Sequence, residues 1–287
     1  MKIAIIDFET TGLDTSTCEP LQVAVSIFDF DAPEAEPSIV YSSFIKNTLP
    51  IPAAASAIHG IHDRDLLDAP SVETVTRELL AAIGDLPIAA YNLPYDGAIL
   101  ERMAGKRLPW SLCVLVAMRE IDRYKPGKSL SECCARRGIA VEDAHDARAD
   151  VLMTVKLLQH IRKRLCVLES VEDLYRYSQT HGEAQEQRLA TFLRSKGKRM
   201  YAYPWRDRAV ALATEEPVDS EDPLRLVTAD GLVEEEDVET YRRAVLVRSL
   251  SKLYWMRLEL REANVSMSTA VLDAMKTCML LLQAEIK

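Results

Sequence analysis

The period of the apolar residues changes from two to about 3.6 near residue 70, and this switch constrains the fold more than any other feature. Before it, three strand-length segments follow one another with short links. Lys2–Asp7 reads as a short buried strand, with four apolar residues closing on a carboxylate. Residues 21–30 alternate, with Val23, Val25 and Ile27 on one face and Gln22, Ala24 and Ser26 on the other. Residues 39–45 form a third segment, after a turn rich in Pro and acids at 31–37. Sequential strands with short links predict an antiparallel meander.

After the switch, the spacing of Val72, Val75, Leu79 and Ile83 predicts a helix over 71–83, with Ser71 as N-cap and Gly84 as stop. A short apolar strand is expected at 87–91. Helices are expected at 95–104, 112–121 and 130–137, and a long one at 146–164 with Asp146 as cap and Val151, Val155, Leu158 and Leu165 as its apolar stripe. Together these give an α/β domain, a mixed sheet flanked by helices, over residues 1–168. A smaller, mainly helical accessory region fills 169–287. Amphipathic helices are expected at 238–261 and 268–286, suited to covering the α/β domain, to dimerisation or to a protein partner.

Charge separates the two regions. The chain carries a net charge of −9, which at first disfavours a polyanionic partner. Residues 188–208, however, hold seven Lys or Arg against one acid, interleaved with Phe192, Tyr201, Tyr203 and Trp205. Such a stretch suits a single strand, with cations along phosphates and aromatics against bases. It equally suits a solvated basic helix face followed by a packed Tyr/Trp loop. Residues 209–240 reverse the sign, with eleven acids against one Arg, and read as a solvated linker around 213–240. No apolar run approaches the ~20 residues of a membrane helix, and the early acid at Asp7 argues against a secretory leader. The six cysteines form no C-x-x-C pair and read as reduced core thiols. A cytoplasmic protein is expected.

Three short motifs carry chemistry. In Asp7-Phe8-Glu9-Thr10-Thr11-Gly12-Leu13, residues i and i+2 of a strand present two carboxylates on one face, roughly 6.5 Å apart. That donor set suits a hard divalent cation, although an Asp-x-Glu alone is also an ordinary solvated strand end. In Tyr91-Asn92-Leu93-Pro94-Tyr95-Asp96, an acid opens a helix, where capping is the simpler role. In Ala144-His145-Asp146-Ala147-Arg148-Ala149-Asp150, a loop histidine precedes the long helix and Asp150 lies one turn inside it. Histidine is the side chain suited to moving a proton near neutral pH. Asp14, Asp143 and Asp146 fall outside the motif spacing. His62, His160 and His181 read as surface residues.

The ordered set D-x-E, N-x-x-x-D and H-x-x-x-x-D resembles the DEDDh family of 3′→5′ exonucleases, which includes the DNA polymerase III proofreading subunit. Ile58-His59-Gly60-Ile61 is similar to the family's His-Gly-Ile segment, and residues 144–151 to the third motif of bacterial exonuclease I. The resemblance covers about residues 1–168. It implies a ribonuclease-H-like fold and metal-dependent hydrolysis at the 3′ end of DNA, preferably single-stranded, releasing nucleoside 5′-monophosphates. RNA is the alternative substrate, and a non-catalytic binding subunit the alternative role.

The resemblance also implies the cofactor and the roles. Four carboxylates in one cleft repel a phosphodiester, and two divalent cations, Mg²⁺ or Mn²⁺, would neutralise them and clamp the attacking and leaving oxygens. Asp7 would bridge both cations. Glu9 and Asp150 would hold the one beside the attacking water, and Asp96 would serve the other. His145 would be the general base, and Asn92 would orient the site. Thr10 and Leu13 would meet the 3′-terminal nucleotide, Leu13 as a wedge between bases. Tyr95 would lie against the terminal sugar, and His59 would also contact substrate.

Overall fold

The computed structural model describes residues 1–141, 144–165, 168–198 and 204–208. The chain divides into two compact units, Met1–Ser178 and Gln179–Lys287.

The first unit is built on β1 (Lys2–Thr10), β2 (Pro20–Asp29) and β3 (Ile39–Phe44), an antiparallel meander as the short links require. β4 (Ile88–Ala90) and β5 (Trp110–Cys113) add parallel to the other edge of β1, giving one mixed sheet of order β3-β2-β1-β4-β5. Ile3 to Ile6 and Val23 to Val25 are fully buried on both alternating faces. The central strands are therefore covered on both sides, and the alternation in 21–30 does not separate a wet face from a dry one.

The helices are α1 (Ala53–His59), α2 (Val72–Ile83), α3 (Leu93–Ala104), α4 (Val114–Ile121), α5 (Leu130–Ala135), α6 (Ala147–Leu165) and α7 (Val171–Ser195). α2 begins and ends as its sequence dictates, with the Ser71 hydroxyl accepting from Thr74 N at 3.4 Å and Gly84 following the last turn. Asp146 caps α6, its Oδ1 accepting from Arg148 N at 3.0 Å and Ala149 N at 3.2 Å. α6 packs on β1 and β2, and α3 on β4 and β5. The α3–β5 approach is so close that a Cβ at Gly97 would lie 2.7 Å from the Trp110 indole, so only glycine fits there.

Four expectations need correction. The first strand does not stop at Asp7. Its pairing with β2 continues through Glu9 opposite Gln22 and ends in an irregularity at Thr10, so Glu9 is held inside the ladder. The helix expected over 112–121 begins at Val114, and the residues before it form β5. α1 was not expected: it is a seven-residue Ala-rich turn with no buried residue, entered from Pro52 and closed by Gly60 in the left-handed region (φ 74°). His181 is buried, not a surface residue, because Leu174, Tyr177, Ser178 and His181 share one face of α7 and are all buried.

The cysteines among the described residues, Cys18, Cys113, Cys133 and Cys134, are buried free thiols. Among the described residues no helix is long and apolar enough to cross a membrane. The acidic linker and the helices expected over 238–261 and 268–286 lie outside the described residues.

Candidate active site

Three segments bring their polar ends to the C-terminal end of the central strand β1. β4 runs parallel to β1, with Ala90 beside Ile6, so Asn92 and α3 start where Asp7 and Glu9 stand. Beyond the end of β4 the Phe8 N–H has no strand partner, and Asp96 Oδ1 takes that place at 3.1 Å. The Asp96 carboxylate thus completes the ladder and is carried to the face bearing Asp7 and Glu9.

The third segment is fixed by a residue that the motif reading passed over. Gln22, on β2 opposite Glu9, is 3% exposed. Its Nε2 donates to Asp146 Oδ2 at 2.9 Å, and its Oε1 accepts from Ala147 N at 3.1 Å. The start of α6 is therefore bolted to the sheet through both ends of one buried amide. The available signal was an amide inside an otherwise apolar strand, since a buried polar group needs partners.

His145 precedes this junction. Its backbone lies in the left-handed region at φ 70°, the one non-glycine to do so among the described residues. Its N–H donates to Asp150 Oδ1 at 3.4 Å, and its side chain is exposed. Strain of this kind costs about 1 kcal/mol or more and persists where surrounding contacts impose it, often at functional sites. Ligand atoms of Glu9, His145 and Asp150 lie within 4.8 Å of one another, close enough to share one cation.

Electrostatics unites the acids. Burial, then the charges of Asp96, Asp150, Glu9 and Asp146, push the Asp7 carboxyl well above the ordinary range. Burial and the same neighbours raise Glu9 to about 8. Burial raises Asp96 to about 8 against the opposing hydrogen bond from Phe8, and raises Asp150 to about 6 against the pull of His145. Asp96 and Asp150 each sit in the first turn of a helix, which favours the charged form. Desolvation and like charge outweigh that preference. The main influences on Asp7, Glu9 and Asp96 are burial, hydrogen bonds and other carboxylates, with no lysine or arginine among them. A pocket of hard oxygen donors without a protein counter-charge fits divalent cations.

The expected substrate residues lie on, or against, the segments that carry these acids. The Thr10 hydroxyl donates to Gly12 O at 2.8 Å and meets the Tyr95 hydroxyl, which itself reaches Gly12 O at 2.6 Å. Tyr95 and Thr10 therefore brace the turn that carries Leu13, whose side chain is 91% exposed. His59, at the end of α1, interacts with the Thr10 backbone, and burial lowers its pKa. Its Nδ1 accepts from Ile61 N at 3.0 Å. Asn92 is exposed at the start of α3, and its side chain makes no capping bond.

In the second unit, the basic stretch divides. Trp205 is buried, its N–H donating to Glu186 Oε1 at 2.9 Å, and its indole fills the space where a Cβ on Gly182 would lie. It is not available for stacking. Phe192 is 57% exposed on α7, with Lys196 Nζ 5.9 Å from its ring centre. Tyr201 and Tyr203 lie outside the described residues.

Comparison with known proteins gives the family and the fold. A family model described as RNase_T, exonuclease, matches residues 4–158. The chain is 27% identical over 176 residues to an uncharacterized exonuclease of Escherichia phage 186, covering 55% of this chain and 87% of the relative. It is 26% identical over 180 residues to the DNA polymerase III subunit epsilon of Aquifex aeolicus, covering 60% and 85%. Among solved structures, E. coli exonuclease I in complex with a dT13 oligonucleotide shares the fold, with a TM-score of 0.51 and 18% identity. That match covers 66% of this chain but only 45% of the exonuclease I chain.

Proposed function

The chain belongs to the exonuclease family described by the RNase_T model, and we propose that it removes nucleoside 5′-monophosphates from the 3′ end of DNA, preferably single-stranded. The observation that carries this reading is the convergence of Asp7, Glu9, Asp96 and Asp150 with His145 from three separate segments onto one cleft. DNA is favoured over RNA because the relatives include a DNA polymerase III epsilon subunit.

Glu9 and Asp150 would hold one cation together with Asp7, and Asp96 would share a second with Asp7. Bound there, divalent cations supply charge neutralisation for the phosphodiester and acidity for the attacking water. Carboxylates that burial holds protonated would give up those protons to bound cations. His145 is exposed beside Glu9 and Asp150, so its imidazole accepts the proton of the attacking water, while its main chain is tethered to Asp150. Thr10 and Tyr95 hold the Gly12 turn so that Leu13 meets the terminal base, and His59 and Asn92 line the approach.

The test is a gel assay on 5′-labelled single-stranded DNA and RNA of matched sequence, with Mg²⁺ or Mn²⁺, a chelator control and Asp7→Ala. A metal-dependent ladder shortening from the 3′ end, stronger on DNA and lost in the variant, is expected. Stronger shortening of RNA would reassign the substrate. Tight binding without cleavage of either would leave a non-catalytic binding protein.

A further inference from the structure

Residues 123–128, between α4 and α5, form a loop whose main chain is tied down while the Tyr124 ring is left in solvent. Four successive carbonyls are engaged within the unit. Lys128 Nζ donates to Lys125 O, Arg136 Nη1 to Pro126 O at 3.0 Å, Arg136 Nη2 to Gly127 O at 2.9 Å, and the Tyr91 hydroxyl to Lys128 O. Arg136 and Arg137 are themselves anchored on buried Asp122 at 3.2 and 3.1 Å. Gly127 has φ 66° and lies against the Glu132 carboxylate, which closes a capping box with Ser129. Tyr124, in contrast, is 93% exposed, with Arg123 and Lys125 exposed beside it and Lys128 half-buried. The neighbouring acids are occupied: Glu120 by Arg123, Asp122 by the two arginines, Glu132 by Ser129. Lys125 and Lys128 form no ion pair among the described residues.

One exposed tyrosine is ordinary. An exposed tyrosine beside two lysines that form no ion pair, on a loop whose main chain is tied down, is a different object, because little backbone freedom is lost when a ligand stacks on it. Its placement matters too. Tyr91, which holds the loop at Lys128, immediately precedes Asn92 and the helix bearing Asp96, so the loop is fastened to a segment of the carboxylate cleft.

We propose that Tyr124, with Lys125 and Lys128, is a stacking platform for an unpaired base of the strand whose 3′ end occupies the cleft. The proposal rests on the exonuclease reading and adds a contact outside the three motifs. Aromatic stacking holds a base whatever its identity, and the lysines neutralise the adjoining phosphates.

The full chain is assayed as wild type, Tyr124→Ala, Tyr124→Phe and a Lys125→Glu/Lys128→Glu double variant. The substrates are a 5′-labelled oligodeoxynucleotide and the p-nitrophenyl ester of thymidine 5′-monophosphate, which has a scissile ester but no strand. Tyr124→Ala is expected to raise KM for the oligonucleotide about tenfold with kcat and ester hydrolysis unchanged, and Tyr124→Phe to restore the wild-type KM. The lysine variant is expected to raise KM most at low salt. An unchanged KM in Tyr124→Ala, or an equal loss on the ester, would overturn the platform. Fluorescence anisotropy of labelled single strand in chelator separates the two readings. Weaker binding by Tyr124→Ala alongside an inactive wild type would support the platform while removing the exonuclease activity.

Discussion

Asp7 is the residue on which stability and function oppose each other most directly. Its carboxyl is pushed up by burial and by four neighbouring acids, so ionising it without a counter-charge destabilises the fold. Asp7→Asn is expected to lower exonuclease activity on the order of 10³-fold or more. It should also raise the melting temperature at pH 8 in chelator. Thermal melts beside the gel assay check both, and a variant that melts lower would mean that the carboxylate is needed for folding. The same logic sets a pH dependence. Glu9 and Asp96 titrate at about 8 in the folded chain against ordinary values of 4.5 and 3.8. Between those values the folded state binds more protons than the unfolded one, so stability is full at the acid end and falls as pH rises towards about 8. Mn²⁺ should restore what is lost, more at pH 8 than at pH 5, because cations and protons compete for the same oxygens. A metal-free melting temperature that stays flat across this range would contradict the assignment of these shifts.

At the scale of the element, α6 is the helix whose placement decides the site, and Gln22 is what places it. Gln22→Leu leaves the Ala147 N–H without its partner inside the protein, at a cost of about 1–3 kcal/mol. It also releases Asp146, so the turn bearing His145 loses its reference to Glu9. Expected are a lower melting temperature and a kcat reduced about tenfold with a smaller change in KM, since a displaced base slows the reaction more than binding. Melts and steady-state kinetics on the oligonucleotide test this, and an unchanged kcat would show that α6 is held by its apolar stripe alone. The elements differ in how well the sequence announces them. α2 and α6 are legible because long apolar stripes coincide with capping residues. β5 is not, because Trp110–Cys113 is only four residues long and runs into the apolar Val114–Ala117 without a turn, so no period separates strand from helix. α1 lacks any buried residue, and the buried face of α7 includes Ser178 and His181, so neither shows an apolar stripe. The motif acids stand out only as an ordered set that resembles a known family, since each motif alone reads as a solvated strand end or a helix cap. Their mutual elevation was not legible, since it depends on Asp96 crossing to β1 to meet the Phe8 N–H.

At the scale of the whole molecule, charge is distributed against its sum. On the exonuclease reading a chain of net charge −9 receives a polyanion, and its densest excess of base lies in residues 188–208, with a smaller one over 241–287. Arg188 and Phe192 on α7, and Lys196 just beyond its end, recur every four residues and are exposed, with Lys196 Nζ near the Phe192 ring. Lys198 follows, also exposed, and Arg194 is exposed with its Nε donating to Ala190 O. Trp205 is withdrawn into the second unit, so what this stretch offers a strand is chiefly charge, with Phe192 as its exposed ring. Binding governed by charge is read in its salt dependence. Each phosphate neutralised on a single strand contributes roughly 0.7 to the slope of log K against log salt. Replacing Arg194, Lys196 and Lys198 by Gln in the full chain is therefore expected to flatten that slope by roughly 2, measured by anisotropy in chelator. Affinity at low salt should fall, while affinity at high salt, where screening already removes the contribution, should change little. Hydrolysis of the strandless ester should be unchanged, because that reaction takes place in the first unit. If the slope stays at its wild-type value, these side chains form a solvated helix face and the polyanion is received entirely by the first unit.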